Sequence, residues 1–455
     1  MADGSVGKGV AGKKFLGVGQ GHGTACLLGL IGASFFLQPL EVRLPGGLPL
    51  AGSLICVYVL FSMPMIATTI FWPGGKWRWW PNMRMSSAFV LCVMAAIWLV
   101  LDWRLNHGVA QGLAMAVFLL FLGIVCVTPW QKNQLALSWL TSLVACSLLV
   151  LVGLWRFLFG YHGEGTEYVG NFWRFLKEGY FPYFGISYTP STRNADFLYL
   201  FLPFLFCLCL CLHATRMTVG KTAAVLLSLL PVVLSFCRSG WLALALGTGG
   251  LVLKCRKPRL MWALLVSATA VVFILNLSLG GKLVPRLYEK AVSIVFPHAA
   301  AANAEQSNRI AEAYSNAKRI ELLEEGLGQF LARPFGSGSA LASDAFGSES
   351  RPVHFENFFV DLFVVFGVFA FPLVVILFIA PLVHALRLPD GDSWIFSSMG
   401  VGCSMFLPVY CLFNSVMDFA FFWYLAALSV ATVQAAAPGG LPTAQYNIIP
   451  KKKVD

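Results

Sequence analysis

Charge is what this chain lacks. Only 12% of its 455 residues are Asp, Glu, Lys or Arg, about half the share of an ordinary soluble domain. With 58% hydrophobic residues and a mean hydropathy of +0.74, that shortage excludes a soluble globule and points to an integral membrane protein. Disulfide spacing is missing too. The 12 cysteines include no CxxC pair, and most sit in apolar runs such as LFCLCLCLHA, where cysteine serves as a small hydrophobe. A nucleic-acid module is also absent. The net charge of +11 comes from short basic clusters between apolar runs, as juxtamembrane anchors do. The first 22 residues are polar and glycine-rich, with a late apolar run and no clear cleavage site, so the first span is expected to stay in the mature chain.

Apolar runs are what the chain has in plenty. Stretches of bilayer length fall at 23–40, 48–71, 86–103, 109–129, 136–159, 195–213, 219–236, 241–253, 260–278, 357–383, 394–412 and 418–436. The expected fold is all-α and polytopic, with about twelve transmembrane helices. The eighth run is short, as a tilted or partly re-entrant element would be.

An even count puts both termini on one side. The segments on that side carry Lys8, Lys13, Lys14, Lys76, Arg78, Arg84, Lys132, Arg216, Lys221, Lys254, Arg256, Lys257, Arg259, Arg387, Lys451, Lys452 and Lys453, against the acids Asp3, Asp390, Asp392 and Asp455. That is 17 of the 32 basic residues with four acids, and the other 15 share the far side with 17 acids. The asymmetry makes the first side cytoplasmic. The domain reading follows: a cytoplasmic tail at 1–22, helices one to nine over 23–278 with an outer loop at 160–194, a large outer loop at 279–356, helices ten to twelve over 357–436, and a cytoplasmic tail at 437–455. Within the large loop, SNRIAEAYSNAKRIELLEEGLGQFLA spaces Ile310, Ala313, Ala317, Ile320, Leu323 and Leu327 by threes and fours. This predicts a helix, ended by Pro334 and the following glycines.

Polar groups gather beside the membrane on the outer side. They are Arg193, Asn194 and Asp196 heading span six, Arg238 between spans seven and eight, Arg309 in the large loop, and His354, Glu356, Asn357 and Asp361 in RPVHFENFFVDLFVVFG. Taken singly, Arg238 fits a headgroup anchor, Arg309 a solvated helix residue, His354 an interfacial histidine and Asn357 a helix cap. Asp361 is harder to set aside, because one turn into an apolar helix it must face the protein interior or a water-filled cavity. If the helix starts at Asn357, His354 and Glu356 stand in its lead-in. If it starts earlier, His354 shares the face of Asn357 and Asp361.

The order of these features resembles the O-antigen ligase and polymerase superfamily of membrane glycosyltransferases, over nearly the whole chain. Asn194 before an apolar span, the Ser-Arg-Gly turn of SFCRSGWLAL, and Arg309 followed by ARPFGSGS each resemble a family segment. In the last of these, Gly336 and Gly338 follow Pro334 one residue sooner than in the family. Asn357 and Gly367 keep the family spacing of ten, but Glu356 stands where ligases have histidine, His354 lies two residues earlier, and Ala370 replaces a second glycine. The Glu-Asn version is similar to some polymerases.

The resemblance implies transfer of a glycan from a polyprenyl (undecaprenyl) diphosphate carrier to an acceptor hydroxyl at the bacterial inner membrane, on its periplasmic side. The acceptor would be a second lipid-linked repeat (polymerase) or lipid A-core (ligase). Membrane lipids and a chain-length regulator are the other implied partners. Arg238 and Arg309, with Arg193 behind them, would hold the departing diphosphate. His354 or Glu356 would be the base, oriented by Asn357, while Asn194 would bind substrate and Asp361 would tune a neighbour or bind a sugar hydroxyl. No cofactor and no metal are expected, since the outer segments have neither a DxD pair nor clustered histidines. A transporter or flippase is the reading from another class. The short eighth run and Pro203, Pro231 and Pro372 allow broken helices, but no repeat relates the two halves.

Overall fold

The computed structural model describes residues 11–37, 50–71, 93, 96–97, 109–128, 130–159, 193–214, 218–235, 237–257, 306–336, 355, 357–388, 394–417 and 419–436, with isolated positions between 262 and 288. The side chains of 11–22, 63–71, 109–114, 127, 193–195 and 306–318 lie outside the described set. So do most of the expected spans 86–103 and 260–278, both tails and much of the two outer loops.

Every described element is helical. The long ones are Ala11–Ser34, Leu50–Phe71, Val109–Val127, Lys132–Phe159, Arg193–His213, Val219–Leu234, Arg238–Lys254, Gln306–Ala332, Ile395–Cys411 and Ala420–Ala436. Among the described residues, three helical stretches are long and apolar enough, by length and composition, to cross a membrane: Lys132–Phe159, Asp196–His213 and Phe358–Arg387. The first shows what its surroundings must be. One face buries Leu135, Trp139, Ser142, Cys146 and Leu149, while Leu137, Leu140, Val144, Leu148, Leu151 and Leu154 form an exposed stripe. Only lipid suits an exposed apolar stripe of that length, so the protein is membrane-embedded.

Helix Ala420–Ala436 is the axis of the bundle. All its residues from Ala420 to Val433 are buried. Its polar groups are satisfied by neighbouring helices, as an environment without water demands. Trp139 Nε1 donates to Thr432 Oγ1 at 2.9 Å. Ser142 Oγ meets the Tyr424 hydroxyl at 3.0 Å, and that hydroxyl donates toward the Ser138 carbonyl at 3.2 Å. Ser429 and Ser404 hydroxyls pair at 3.0 Å, and both reach the Gly400 carbonyl at 2.9 Å.

The loop helix forms over Gln306–Ala332, as its three-and-four spacing predicts. Arg333 to Gly336 make the turn that ends it, with the Gly336 N–H on the Arg333 carbonyl at 2.9 Å.

The expected span 357–383 is helical but not one straight helix. The helix Phe358–Phe366 stops at Gly367, whose φ of 58° and ψ of −139° no helix accommodates. The rings of Phe358 and Phe359 lie 5.8 and 5.1 Å from that of Phe378, and Phe363 lies 4.8 Å from Phe371. In a straight helix Phe358 and Phe378 would be about 30 Å apart. The chain therefore turns back at Gly367–Phe369 into a V of two helical arms. The second arm runs through Ala370–Val374, a π turn at Val375–Ile379 and Ala380–Arg387. The π turn stands where Pro381 has no N–H to complete the regular ladder. This arm, about 27 Å long at 1.5 Å per residue, has by itself the length of a membrane crossing.

The helix Arg238–Lys254 defines two ends of the bundle. At the Lys254 end, lysines cap helix C-termini, where carbonyls without helical partners and the helix dipole favour cations. Lys254 Nζ donates to the carbonyls of Leu386 and Leu388 at 3.2 and 2.8 Å. Lys257 Nζ donates to the carbonyls of Leu212 and, at 3.4 Å, Ala214. These are among the residues that the charge count assigns to one side. The Arg238 end carries the polar groups considered next.

Candidate functional site

Gly240 explains the Ser-Arg-Gly turn. A Cβ at this position would lie 2.4 Å from the Phe197 ring, so only glycine lets the helix Arg238–Lys254 start against the helix Arg193–His213. Arg238 is the first residue of that helix and is half-buried. Beside it, the Ser239 hydroxyl donates to Asn414 Oδ1 at 3.0 Å.

Asn414 belongs to the connector Leu412–Phe419 between the last two long helices, and it is buried. Its Nδ2 donates to the Tyr410 carbonyl at 2.8 Å, and its own carbonyl accepts the Phe358 N–H at 3.2 Å. One residue thus ties the Arg238 turn to the start of the helical V.

The start of the V is capped by Asn357. Its Oδ1 accepts the N–H groups of Phe359 and Val360 at 3.0 and 3.2 Å, while its Nδ2 donates to the Leu412 carbonyl at 2.8 Å. The expected cap is therefore present, and the helix begins at Phe358. His354 and Glu356 precede it, in the lead-in. We expect Asn357→Ala to lower stability by about 1–2 kcal/mol, read as a lower apparent melting temperature in detergent. Asn357→Asp, which keeps the capping oxygen, should lose less.

Asp361 faces the protein interior, at 4% exposure. Oδ1 accepts the Phe355 N–H at 2.9 Å, and Oδ2 accepts the Ser415 hydroxyl. The Phe355 ring is buried with Leu322, Val360 and Val364. The loop helix approaches it closely, because a Cβ at Gly326 would come within 3.0 Å of the Phe355 ring and 2.3 Å of Val360.

Two glycines join the end of the loop helix to the bend of the V. Gly336 has φ of +93° and Gly367 φ of +58°. A Cβ at Gly367 would lie 2.2 Å from the Pro334 carbonyl oxygen, and one at Gly336 would lie 2.5 Å from that of Val365. The Val368 N–H donates to the Pro334 carbonyl at 2.8 Å. The Pro-x-Gly segment and the glycine ten residues after Asn357, far apart in sequence, are one backbone contact.

Of the residues picked from sequence, the connector bonds Asn357 and Asp361 directly and the Arg238 turn through Ser239. Asp196, on the helix beneath the Gly240 contact, is buried at 3% exposure. His354, Glu356 and the side chains of Arg193, Asn194 and Arg309 lie outside the described residues. Sequence reasoning missed Asn414 and Ser415. Their signal was available, since a polar pair interrupts apolar chain in CLFNSVMDF on the side that carries the other polar groups.

Comparison with known proteins bears on this end of the bundle. Residues 223–379, about a third of the chain, match the family model described as O-Antigen ligase. The matched region runs through the Arg238 turn, the loop helix, the Asn357 cap and the first arm of the V, and ends within the second. It supports assignment to the O-antigen ligase and polymerase superfamily, as the motifs imply. No curated protein matches the chain.

Proposed function

We propose that this chain, a membrane protein assigned to the O-antigen ligase and polymerase superfamily, transfers a glycan from a polyprenyl diphosphate carrier to an acceptor hydroxyl. The observation that carries the reading is the connector Leu412–Ser415. It hydrogen-bonds the Arg238 turn on one side and, on the other, Asn357, Phe358 and Asp361 in the helix start that follows His354 and Glu356 in the sequence. Glycosyl transfer needs those two chemistries side by side. The acceptor oxygen bonds to the anomeric carbon as the bond to the diphosphate breaks. The departing carrier keeps the electron pair, and the hydroxyl proton passes to a base. Arg238 meets the developing diphosphate charge with a permanently charged fork, and Arg309 and Arg193 are the further cations proposed for it. His354 or Glu356 takes the proton, and Asn194 contributes a polar group to substrate binding.

Polymerisation of lipid-linked repeats is the first reading, resting on Glu356-Asn357 where ligases carry histidine before the asparagine. Ligation to lipid A-core is the second, favoured by the description of the matching family. About twelve spans, cytoplasmic termini and a periplasmic site complete the proposal, supported by the charge asymmetry.

The test is turnover of a synthetic polyprenyl-diphosphate glycan by the purified protein. A ladder of lengthening products on the carrier supports polymerisation, and a single transfer to lipid A-core supports ligation. Movement of the intact donor across vesicles without any new glycosidic bond would overturn both. Transfer is expected to continue in excess EDTA, since arginines supply the positive charge. Loss of transfer that one divalent cation restores would contradict that expectation.

A further inference from the structure

We propose that Asp361 is a positioning residue: held by Ser415, it fixes the Phe355 amide and with it the lead-in that carries His354 and Glu356. The resemblance implies that Asp361 tunes a neighbour or binds a sugar hydroxyl. The geometry points to the first, because at 4% exposure a substrate hydroxyl has no approach, and each oxygen already accepts a protein donor. Oδ1 takes the Phe355 N–H across six residues at 2.9 Å. Oδ2 takes the Ser415 hydroxyl. The Asp361 N–H bonds the Asn357 carbonyl at 3.0 Å, so the acid is itself set in the first helical turn.

The consequence falls on the residues between. On one side, the Phe355 amide is held by Asp361. On the other side, Asn357 is held by two amides and the Leu412 carbonyl. Glu356 therefore lies between two anchored residues. The Phe355 ring, buried against the loop helix at Gly326, adds a third constraint. Phe355 and Asn357, which flank Glu356 in the sequence, are thus both held, the first by Asp361 with Ser415 and the second by the Leu412 carbonyl. Only the role of the lead-in in catalysis rests on the glycosyl-transfer reading; the pinning does not.

The experiment compares Asp361→Ala, Asp361→Asn and Ser415→Ala in the full-length protein, with hydrogen exchange at the Phe355 amide and steady-state transfer as readouts. Asparagine can keep both contacts, its oxygen accepting the amide and its nitrogen donating to the serine hydroxyl. Losing a buried hydrogen bond to a charged group predicts about 30-fold faster exchange and about 30-fold lower kcat for Asp361→Ala. KM should stay within about threefold, because ground-state binding is not what the contact serves. Asp361→Asn should lose no more than about fivefold on either readout, with the pH profile of kcat unchanged in shape. Should Asp361→Ala fail to accumulate in membranes, Ser415→Ala takes its place, with about fivefold faster exchange expected. Unchanged exchange in the alanine variant would overturn the proposal. So would an asparagine variant as inactive as alanine with its amide still protected, since the carboxylate would then act directly. If the wild type transfers no glycan, the glycosyl-transfer reading fails on that result, and the exchange data still decide the pinning.

Discussion

Replacing Arg238 with alanine is expected to lower turnover of a polyprenyl-diphosphate donor by about two orders of magnitude, equivalent to ~3 kcal/mol of lost charge stabilisation, in a protein that still folds. The reason lies in where the guanidinium stands. Arg238 opens the helix Arg238–Lys254, so the positive end of the helix dipole adds to its own charge. It is half-buried, which weakens screening by water and strengthens its pull on a departing diphosphate. Lysine would keep the charge and lose the planar fork, so Arg238→Lys should recover only part of the rate. The neighbouring variant Ser239→Ala separates charge from scaffolding. It removes the bond to Asn414 Oδ1 but no charge, and should cost about 1 kcal/mol, or about fivefold in rate. Steady-state kinetics on the three variants should give the order alanine at 238, lysine at 238, alanine at 239, from slowest to fastest. Near-wild-type transfer by Arg238→Ala would remove the diphosphate site from this turn.

Several parts of this end of the molecule were legible in the sequence for physical reasons. The loop helix announced itself because Ile320, Leu323 and Leu327 recur at helical spacing in an otherwise charged segment. Asn357 and Asp361 were legible because asparagine before an apolar run caps a helix, and a carboxylate inside one must face the interior. The bend at Gly367 was not. The residues on either side of it, FFVDLFVVF and VFAFPLVVILFIA, are apolar apart from Asp361, and such a run looks the same whether the chain continues or turns back. Only the backbone contact with Pro334–Gly336, set by residues some thirty positions away, decides it. The connector was missed for a related reason. Asn414 and Ser415 interrupt apolar chain as an ordinary turn would, and their partners Ser239, Phe358 and Asp361 are brought to them by tertiary packing alone.

Gly367→Ala is the second large effect, and it falls on the fold before it reaches the chemistry. At φ of 58° and ψ of −139° a side chain carries backbone strain of about 1–3 kcal/mol. The added methyl would lie 2.2 Å from the Pro334 oxygen and 2.3 Å from the Gly336 nitrogen. Neither neighbour can yield as a flexible side chain would, because both are backbone, so overpacking adds a further ~1–3 kcal/mol. The expected result is a marked fall in monodisperse protein recovered in detergent and a lower apparent melting temperature. What survives should transfer poorly, because the arm Phe358–Phe366 holds Asp361 and follows directly on the lead-in. Gly328→Ala is the comparison. Gly328 lies in the loop helix with nothing within 4 Å of its added Cβ, and alanine there should be neutral or stabilising by about 1 kcal/mol. Should Gly367→Ala melt with the wild type while Gly328→Ala does not, the V and its backbone contact with the loop would be wrong. The opposite ranking, with the loss confined to Gly367, shows that the contact of the loop helix with the helical V depends on this glycine pair and not on the loop helix alone.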